Sequence, residues 1–76
     1  MRHKNLSEKL SPRERTVLLA LVAYTREHGY PPTRRELGDL AGLSSTSVVS
    51  YYLEKLEARG LIRWARGVAR GISLVR

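Results

Sequence analysis

The side chains with the clearest chemistry form a run of small hydroxyls in the middle of the chain. Residues 44–47 read Ser-Ser-Thr-Ser, and Ser50 and Tyr51 follow within two helical turns. These groups donate and accept hydrogen bonds, so they suit recognition of a partner or capping of a helix. Nucleophilic catalysis needs an activating base beside the hydroxyl, and no His or Lys can be linked to one of these serines. We therefore predict a binding protein with no catalytic residues rather than an enzyme.

Composition removes several other kinds of site. The 76 residues contain no cysteine, which excludes disulfides, cysteine zinc sites, iron–sulfur sites and thiol nucleophiles. His3 and His28 are distant in sequence, so we expect no metal ion and no cofactor. No apolar run approaches the roughly 18 residues of a membrane span, and no signal-peptide core follows the basic start. We expect a cytoplasmic protein with neither a membrane contact nor a small-molecule substrate.

Charge indicates the class of partner. There are 14 Lys and Arg against 7 Asp and Glu, which gives one small domain a formal net charge of +7. Residues 59–76 contain five arginines and no acidic residue. Such a surplus favours a polyanionic partner, and a basic globular surface without a partner is the alternative.

Capping signals locate the helices that would hold these groups. Residues 11–14 (Ser-Pro-Arg-Glu) and 33–36 (Thr-Arg-Arg-Glu) each have the pattern of a capping box. Glycines suited to helix ends follow at Gly29, Gly42 and Gly60. The third helix then spans about residues 46–59, and a link of about four residues joins it to the second, which is typical of a helix-turn-helix.

Two short alternating segments complete the fold. Residues 61–64 and 72–75 have the pattern of strands, and residues 65–71 form a glycine-containing loop between them. Trp64 is expected to pack in the core. The sequence predicts a mainly α fold with a small β-hairpin, a winged helix-turn-helix of three helices followed by a two-stranded wing. This domain occupies residues 11–76, after a basic N-terminal arm at residues 1–10.

A helix-turn-helix beside a basic hairpin is typical of double-stranded DNA binding, which would place the protein at the nucleoid. The N-terminal residues of a helix in the major groove approach the base edges. We expect base reading from six side chains of the third helix and its cap: Ser45, Thr46, Ser47, Val48, Ser50 and Tyr51. The alternative for the hydroxyls is capping, which must involve one of Ser44 or Ser45.

Predicted phosphate contacts flank this helix. Arg66 and Arg70 lie on the wing loop, where they would contact phosphates or enter the minor groove. Thr33, Arg34 and Arg35 open the second helix, whose backbone amides can hold a phosphate. Solvated surface charge is the alternative for these arginines.

Residues 10–74 resemble the N-terminal DNA-binding domain of the LexA family of bacterial SOS-response repressors. The resemblance rests on residues 10–13 (LSPR), 29–37 (GYPPTRREL), 42–45 (GLSS), 53–63 (LEKLEARGLIR) and 70–72 (RGI). It implies a third helix that reads the major groove and a wing that touches the DNA backbone. The reading positions of the family fall on Ser45, Ser47, Val48, Ser50 and Tyr51.

The family also has a self-cleaving C-terminal domain, with a Ser/Lys pair and a cleaved Ala-Gly bond, and no part of this sequence resembles that domain. We therefore expect no autoproteolysis from this chain, which is either a domain of a longer repressor or a free-standing regulator. Family dimerisation rests mainly on the absent domain, so a homodimer on paired half-sites is left open.

Three functions are consistent with these features of the sequence. The first is sequence-specific DNA binding by a transcriptional repressor or regulator. The second is a winged-helix interaction module that docks on an acidic protein of the transcription machinery. The third is a non-specific nucleic-acid coat, which would show little preference among DNA sequences and a steep dependence on salt.

Overall fold

The computed structural model describes residues 10–75, which fold as three helices followed by an antiparallel hairpin. The elements are α1 (Pro12–His28), α2 (Arg34–Ala41), α3 (Thr46–Ala58), β1 (Ile62–Trp64) and β2 (Ile72–Leu74). This order confirms the predicted winged helix-turn-helix. The predicted arm lies outside the described residues except for Leu10, which is 6% exposed and belongs to the core. None of the helices within residues 10–75 is long and apolar enough to cross a membrane.

Both predicted capping boxes are present. The Ser11 hydroxyl accepts the Glu14 N–H at 3.1 Å, and the Glu14 carboxylate accepts the Ser11 N–H at 3.0 Å. Thr33 and Glu36 repeat the arrangement at the start of α2, at 3.1 and 2.9 Å. Because these bonds join residues three apart, the sequence pattern alone is enough to place both helix starts.

The core lies where the three helices meet the inner face of the hairpin. Its most buried apolar side chains, each 0–1% exposed, are Val17, Leu21, Leu37, Val49, Leu53, Leu56, Ile62 and Ile72. Trp64 packs against this cluster but is only partly buried. The prediction that Trp64 lies in the core is therefore only partly correct, because the ring also lines a surface groove together with Arg34 and Arg66.

Close contact between α2 and α3 depends on Gly38. A Cβ atom at this position would lie 3.0 Å from Cγ2 of Val49 on α3. The turn between the helices is held by a hydrogen bond from the Leu43 N–H to the Gly38 carbonyl at 2.8 Å. A glycine at this position thus lets the backbone of α2 approach the buried face of α3.

The wing is a two-stranded sheet with a closed loop. Ile62 pairs with Leu74 and Trp64 with Ile72. The Ala65 N–H donates to the Gly71 carbonyl at 2.8 Å, and Gly67 provides the positive φ of 86° that the loop needs. These contacts fix residues 65–71 as a compact loop.

A second set of contacts ties the end of this loop to the start of α2. Nη1 and Nη2 of Arg70 donate to Oε1 and Oε2 of Glu36 at 2.9 and 3.2 Å. Nη1 also donates to the Pro31 carbonyl at 2.9 Å, and the guanidinium lies 4.7 Å from the ring centroid of Tyr30. We call these four residues, Arg70, Glu36, Pro31 and Tyr30, the wing anchor.

The wing anchor changes the acidity of its carboxyl group. Hydrogen bonds from Arg70, and then from the Thr33 backbone, lower the pKa of Glu36 from its ordinary 4.5 to about 2. Both interactions favour the ionised carboxylate, which only the folded protein surrounds in this way. Glu36 therefore makes the stability of the fold depend on pH in the acidic range.

Replacing Gly71 by alanine should destabilise the protein. The new Cβ would overlap the carbonyl oxygen of Ala65 and lie 3.0 Å from Cβ of Val68. Overpacking of this kind costs about 1–3 kcal/mol, and thermal denaturation should show a lower Tm. Ala69→Ser, an exposed change in the same loop, is the control and should melt like the wild type. An unchanged Tm for Gly71→Ala would contradict the close packing of the loop.

The wild type should have a higher Tm than Glu36→Gln near neutral pH, and acidification should remove this difference. Glutamine can still accept the cap hydrogen bond but carries no charge for Arg70. Because the folded pKa is the lower one, the contribution is present above about pH 4.5 and is lost as pH falls towards 2. The Tm difference between the two proteins should therefore shrink over this range. Glu54→Gln, which removes an exposed carboxylate without an ion pair among residues 10–75, is the matched control for the loss of one carboxylate.

Candidate nucleic-acid interface

A groove runs between α3 and the wing and is bounded at one end by the start of α2. Its lining residues are Thr33, Arg34, Arg35, Thr46, Ser50, Glu54, Trp64, Arg66, Gly67, Val68 and Ala69. We call it the wing groove. It brings together six of the predicted site residues from three parts of the chain, namely Thr33, Arg34, Arg35, Thr46, Ser50 and Arg66.

Ser45 is the N-cap of α3. Its hydroxyl oxygen accepts the N–H groups of Ser47 and Val48 at 3.0 and 3.4 Å. This confirms for Ser45 the capping role that the sequence predicts for one of Ser44 or Ser45. The Ser45 hydroxyl remains exposed, and its hydrogen can still be donated outward because the cap uses only the oxygen lone pairs.

Four of the other five predicted readers are exposed on the outer face of α3, and the fifth, Ser50, is half-buried. Thr46 and Ser47 are exposed, Val48 is 38% exposed and Tyr51 is 52% exposed. The ring of Tyr51 packs edge-on against Tyr52, with the centroids 5.0 Å apart. This face therefore combines hydroxyl groups with one apolar and one aromatic side chain.

Lys55 is a member of this face that the sequence analysis missed. Its ammonium lies 5.2 Å from the centroid of the Tyr51 ring, one helical turn away. The spacing of four residues between Tyr51 and Lys55 is a signal that could have identified the pair.

Ser50 and Arg34 form a direct link between α2 and α3. Nη1 of Arg34 donates to the Ser50 hydroxyl oxygen at 2.7 Å. The same guanidinium lies 5.8 Å from the centroid of the Trp64 ring on the wing. Arg34 is thus placed at the meeting point of the three elements that line the wing groove.

Arg66 contributes the second cation at Trp64. Its guanidinium lies 4.2 Å from the ring centroid, and Nη2 pairs with Oε1 of Glu57 at 3.1 Å while the Arg66 side chain stays 52% exposed. Stacking on the indole orients the guanidinium of Arg66, and the hydrogen bond to Ser50 orients that of Arg34. Positive charge is therefore concentrated where the wing meets the start of α2.

Arg35 and Arg70 differ from these two arginines in opposite ways. Arg35 is exposed in the wing groove and has no hydrogen-bond or ion-pair partner among residues 10–75. Arg70 does not line the groove, and the wing anchor holds its guanidinium, with Glu36 raising the pKa of Arg70 further. The sequence predicts the same phosphate-binding role for Arg66 and Arg70, and the structure gives them different surroundings.

Comparison with known proteins identifies the family to which the chain is similar. The family model described as LexA DNA binding domain matches residues 7–71. The LexA repressors of Roseiflexus sp. (strain RS-1) and Geotalea uraniireducens (strain Rf4) are 48% and 46% identical over 68 residues, or 90% of the chain. That of Corynebacterium diphtheriae is 48% identical over 60 residues, or 79% of the chain.

The match covers only part of each relative. The aligned residues amount to 31%, 34% and 25% of the lengths of these three repressors, so the chain spans about a third of the curated relatives it matches. The family model, in contrast, covers nearly all of the described residues. On its sequence and its winged helix-turn-helix fold, the chain belongs to the LexA DNA binding domain family.

Proposed function

We propose that this chain is a sequence-specific double-stranded DNA binder that represses transcription. In this proposal α3 lies in the major groove and the wing lies along the DNA backbone. The observation that carries it is the wing groove, where an exposed hydroxyl-rich helix lies beside cations from two other elements. The name LexA repressor, which the relatives share, supports a repressor of the SOS response acting at the nucleoid.

Base reading is assigned to the exposed face of α3. Serine and threonine hydroxyls are short enough to let a helix lie deep in the major groove, and they pair with either donors or acceptors. The candidate readers are Ser45, Thr46, Ser47, Val48, Ser50 and Tyr51. Val48 has the apolar surface to contact a thymine methyl group, and the hydroxyl of Tyr51 can bond to a base edge or a phosphate.

Phosphate binding is assigned to the positive end of the wing groove. Thr33, Arg34 and Arg35 lie at the start of α2, where the backbone N–H groups favour an anion. Arg66 would approach the backbone from the wing. These groups would position α3 without specifying the bases.

Two copies on one DNA site would strengthen binding by so small a domain. Paired half-sites separated by about one helical turn, or a multiple of it, would place both copies on the same side of the duplex. We therefore propose an operator with two half-sites. The arrangement of those half-sites reports whether the copies are related by a two-fold axis.

Selection from random duplex DNA tests the function as a whole. At about 150–200 mM salt, where binding through phosphates alone is weakened, we expect an enriched motif that binds at least about a thousandfold more tightly than random DNA. A library without enrichment, bound only at low salt, would support the non-specific coat. Absence of DNA binding together with a stoichiometric complex with an acidic protein would support the interaction module.

A pair of variants separates base reading from phosphate binding. Ser47→Ala should weaken the selected site by about 1 kcal/mol and leave random DNA nearly unchanged. Arg35→Gln should weaken both DNAs and reduce the slope of log K against log salt by about 0.9. Fluorescence anisotropy titrations at several salt concentrations measure both effects. Ser73→Ala, an exposed hydroxyl on β2, is the matched control. Equal losses from Ser47→Ala on both DNAs would contradict direct reading by α3.

A further inference from the structure

We propose that Arg70 is a positioning residue, which holds the wing against α2 and so sets the shape of the DNA-binding surface. In this role its guanidinium does not contact a phosphate. The proposal deepens the proposed function and rests on it, because its consequence for affinity exists only if the wing groove binds DNA. It also predicts a property of the free protein, which can be tested without DNA.

The contacts of Arg70 already use both terminal nitrogens of its guanidinium. Nη1 and Nη2 pair with the two oxygens of Glu36 at 2.9 and 3.2 Å, which is the bidentate geometry that arginine forms with a carboxylate. Nη1 also reaches the Pro31 carbonyl at 2.9 Å and the Tyr24 hydroxyl at 3.5 Å. Tyr30 covers the guanidinium, 4.7 Å from its ring centroid.

Moving Arg70 to a phosphate would be opposed by charge. The guanidinium would have to leave a carboxylate that binds it through two oxygens. Glu36 would then be an uncompensated anion at the start of α2, where the proposed function places the DNA backbone. The repulsion between that carboxylate and the phosphates would offset the gain from the new contact. As an intact pair, Arg70 and Glu36 contribute no net charge at that point.

The position of Glu36 explains what the pair holds in place. Its Oε1 accepts the Thr33 N–H at 2.9 Å and so caps α2, which begins with Arg34. On the other side, Arg70 is followed by Gly71, whose carbonyl closes the wing loop against the Ala65 N–H. One carboxylate therefore fixes the start of α2 and the base of the wing loop together.

Fixing these two points also fixes the arginines of the wing groove. Arg34 extends from α2 and Arg66 from the wing, and both contact the ring of Trp64. A wing that shifted relative to α2 would change the separation of these two guanidinium groups. Arg70 thus acts on DNA affinity through the placement of other cations.

Arg70→Lys is the decisive variant, with Arg70→Gln beside it. Lysine keeps the charge but cannot form two parallel bonds to a carboxylate or stack its head group on Tyr30 as a plane. We expect both variants to lose about tenfold in affinity for the selected DNA. The slope against log salt should stay equal to that of the wild type for Arg70→Lys, which keeps the charge, and for the double variant Glu36→Gln/Arg70→Gln, which removes one charge of each sign. Wild-type affinity for Arg70→Lys, or a slope lowered by about 0.9 for the double variant Glu36→Gln/Arg70→Gln, would overturn the proposal, because both are expected of a phosphate contact.

Glu36→Gln gives an independent test, because the two possible roles of Arg70 predict opposite changes in DNA affinity. It removes a negative charge near the proposed DNA path, so a phosphate-binding Arg70 would be released and affinity would rise. A positioning Arg70 would lose its support, and affinity should fall. The double variant with Arg70→Gln should bind about as weakly as either single variant, since both remove the same interaction. A gain in affinity, or additive losses, would overturn the proposal.

Amide hydrogen exchange tests the same interaction in the free protein. Arg70→Lys should speed exchange at the Ala65 N–H, which closes the wing loop, and leave the Leu53 N–H in α3 unchanged. Unchanged exchange at Ala65 would overturn the proposal. If the wild-type protein selects no DNA motif while Ala65 exchange still responds, the proposed function fails and the anchoring role of Arg70 stands. Thermal melting of each variant identifies a temperature at which all are folded for the comparison.

Discussion

The carboxylate of Glu36 connects the two halves of this domain. It accepts a hydrogen bond from the Thr33 backbone, which starts α2, and receives both terminal nitrogens of Arg70 at the end of the wing loop. A three-residue strand pair has little stability of its own. The wing therefore depends on packing against the helices and on this ion pair for its position. The lowered pKa of Glu36 reflects the same two interactions.

The excess of positive charge on this domain is divided between two physical roles. Arg70 is neutralised by Glu36 and serves the geometry of the wing. Arg35 is exposed in the wing groove without a partner among the described residues, and Arg34 donates to the Ser50 hydroxyl. Arg66 lies between these cases, because it pairs with Glu57 at 3.1 Å while its side chain stays 52% exposed. A net charge of +7 thus overstates the charge that is available to a polyanion, because the pairing of each arginine decides its contribution.

The hydroxyl groups of α3 also combine two roles, and these do not compete. Ser45 uses its oxygen lone pairs to cap the helix, and Ser50 uses a lone pair to accept from Arg34. Both hydroxyl hydrogens are left to donate elsewhere. Capping and recognition therefore draw on different parts of the same group. A protein surface can be held rigid by hydrogen bonds and still present hydrogen-bonding capacity to a partner.

The helix boundaries, the wing and the exposed face of α3 could be predicted from the order of the residues alone. The signals for these features are capping boxes, terminal glycines and the alternation that puts Ile62 and Trp64 on one face of a strand. Each signal comes from residues that are close in the chain, so it can be interpreted without the rest of the fold. The different roles of Arg66 and Arg70 were decided only by the tertiary structure, as was the contact of Arg34 with Ser50. Arg70 meets Glu36 across 34 residues of chain, and charge alone does not specify which oppositely charged group a side chain will reach. That choice depends on how the helices pack, which brings the start of α2 beside the wing.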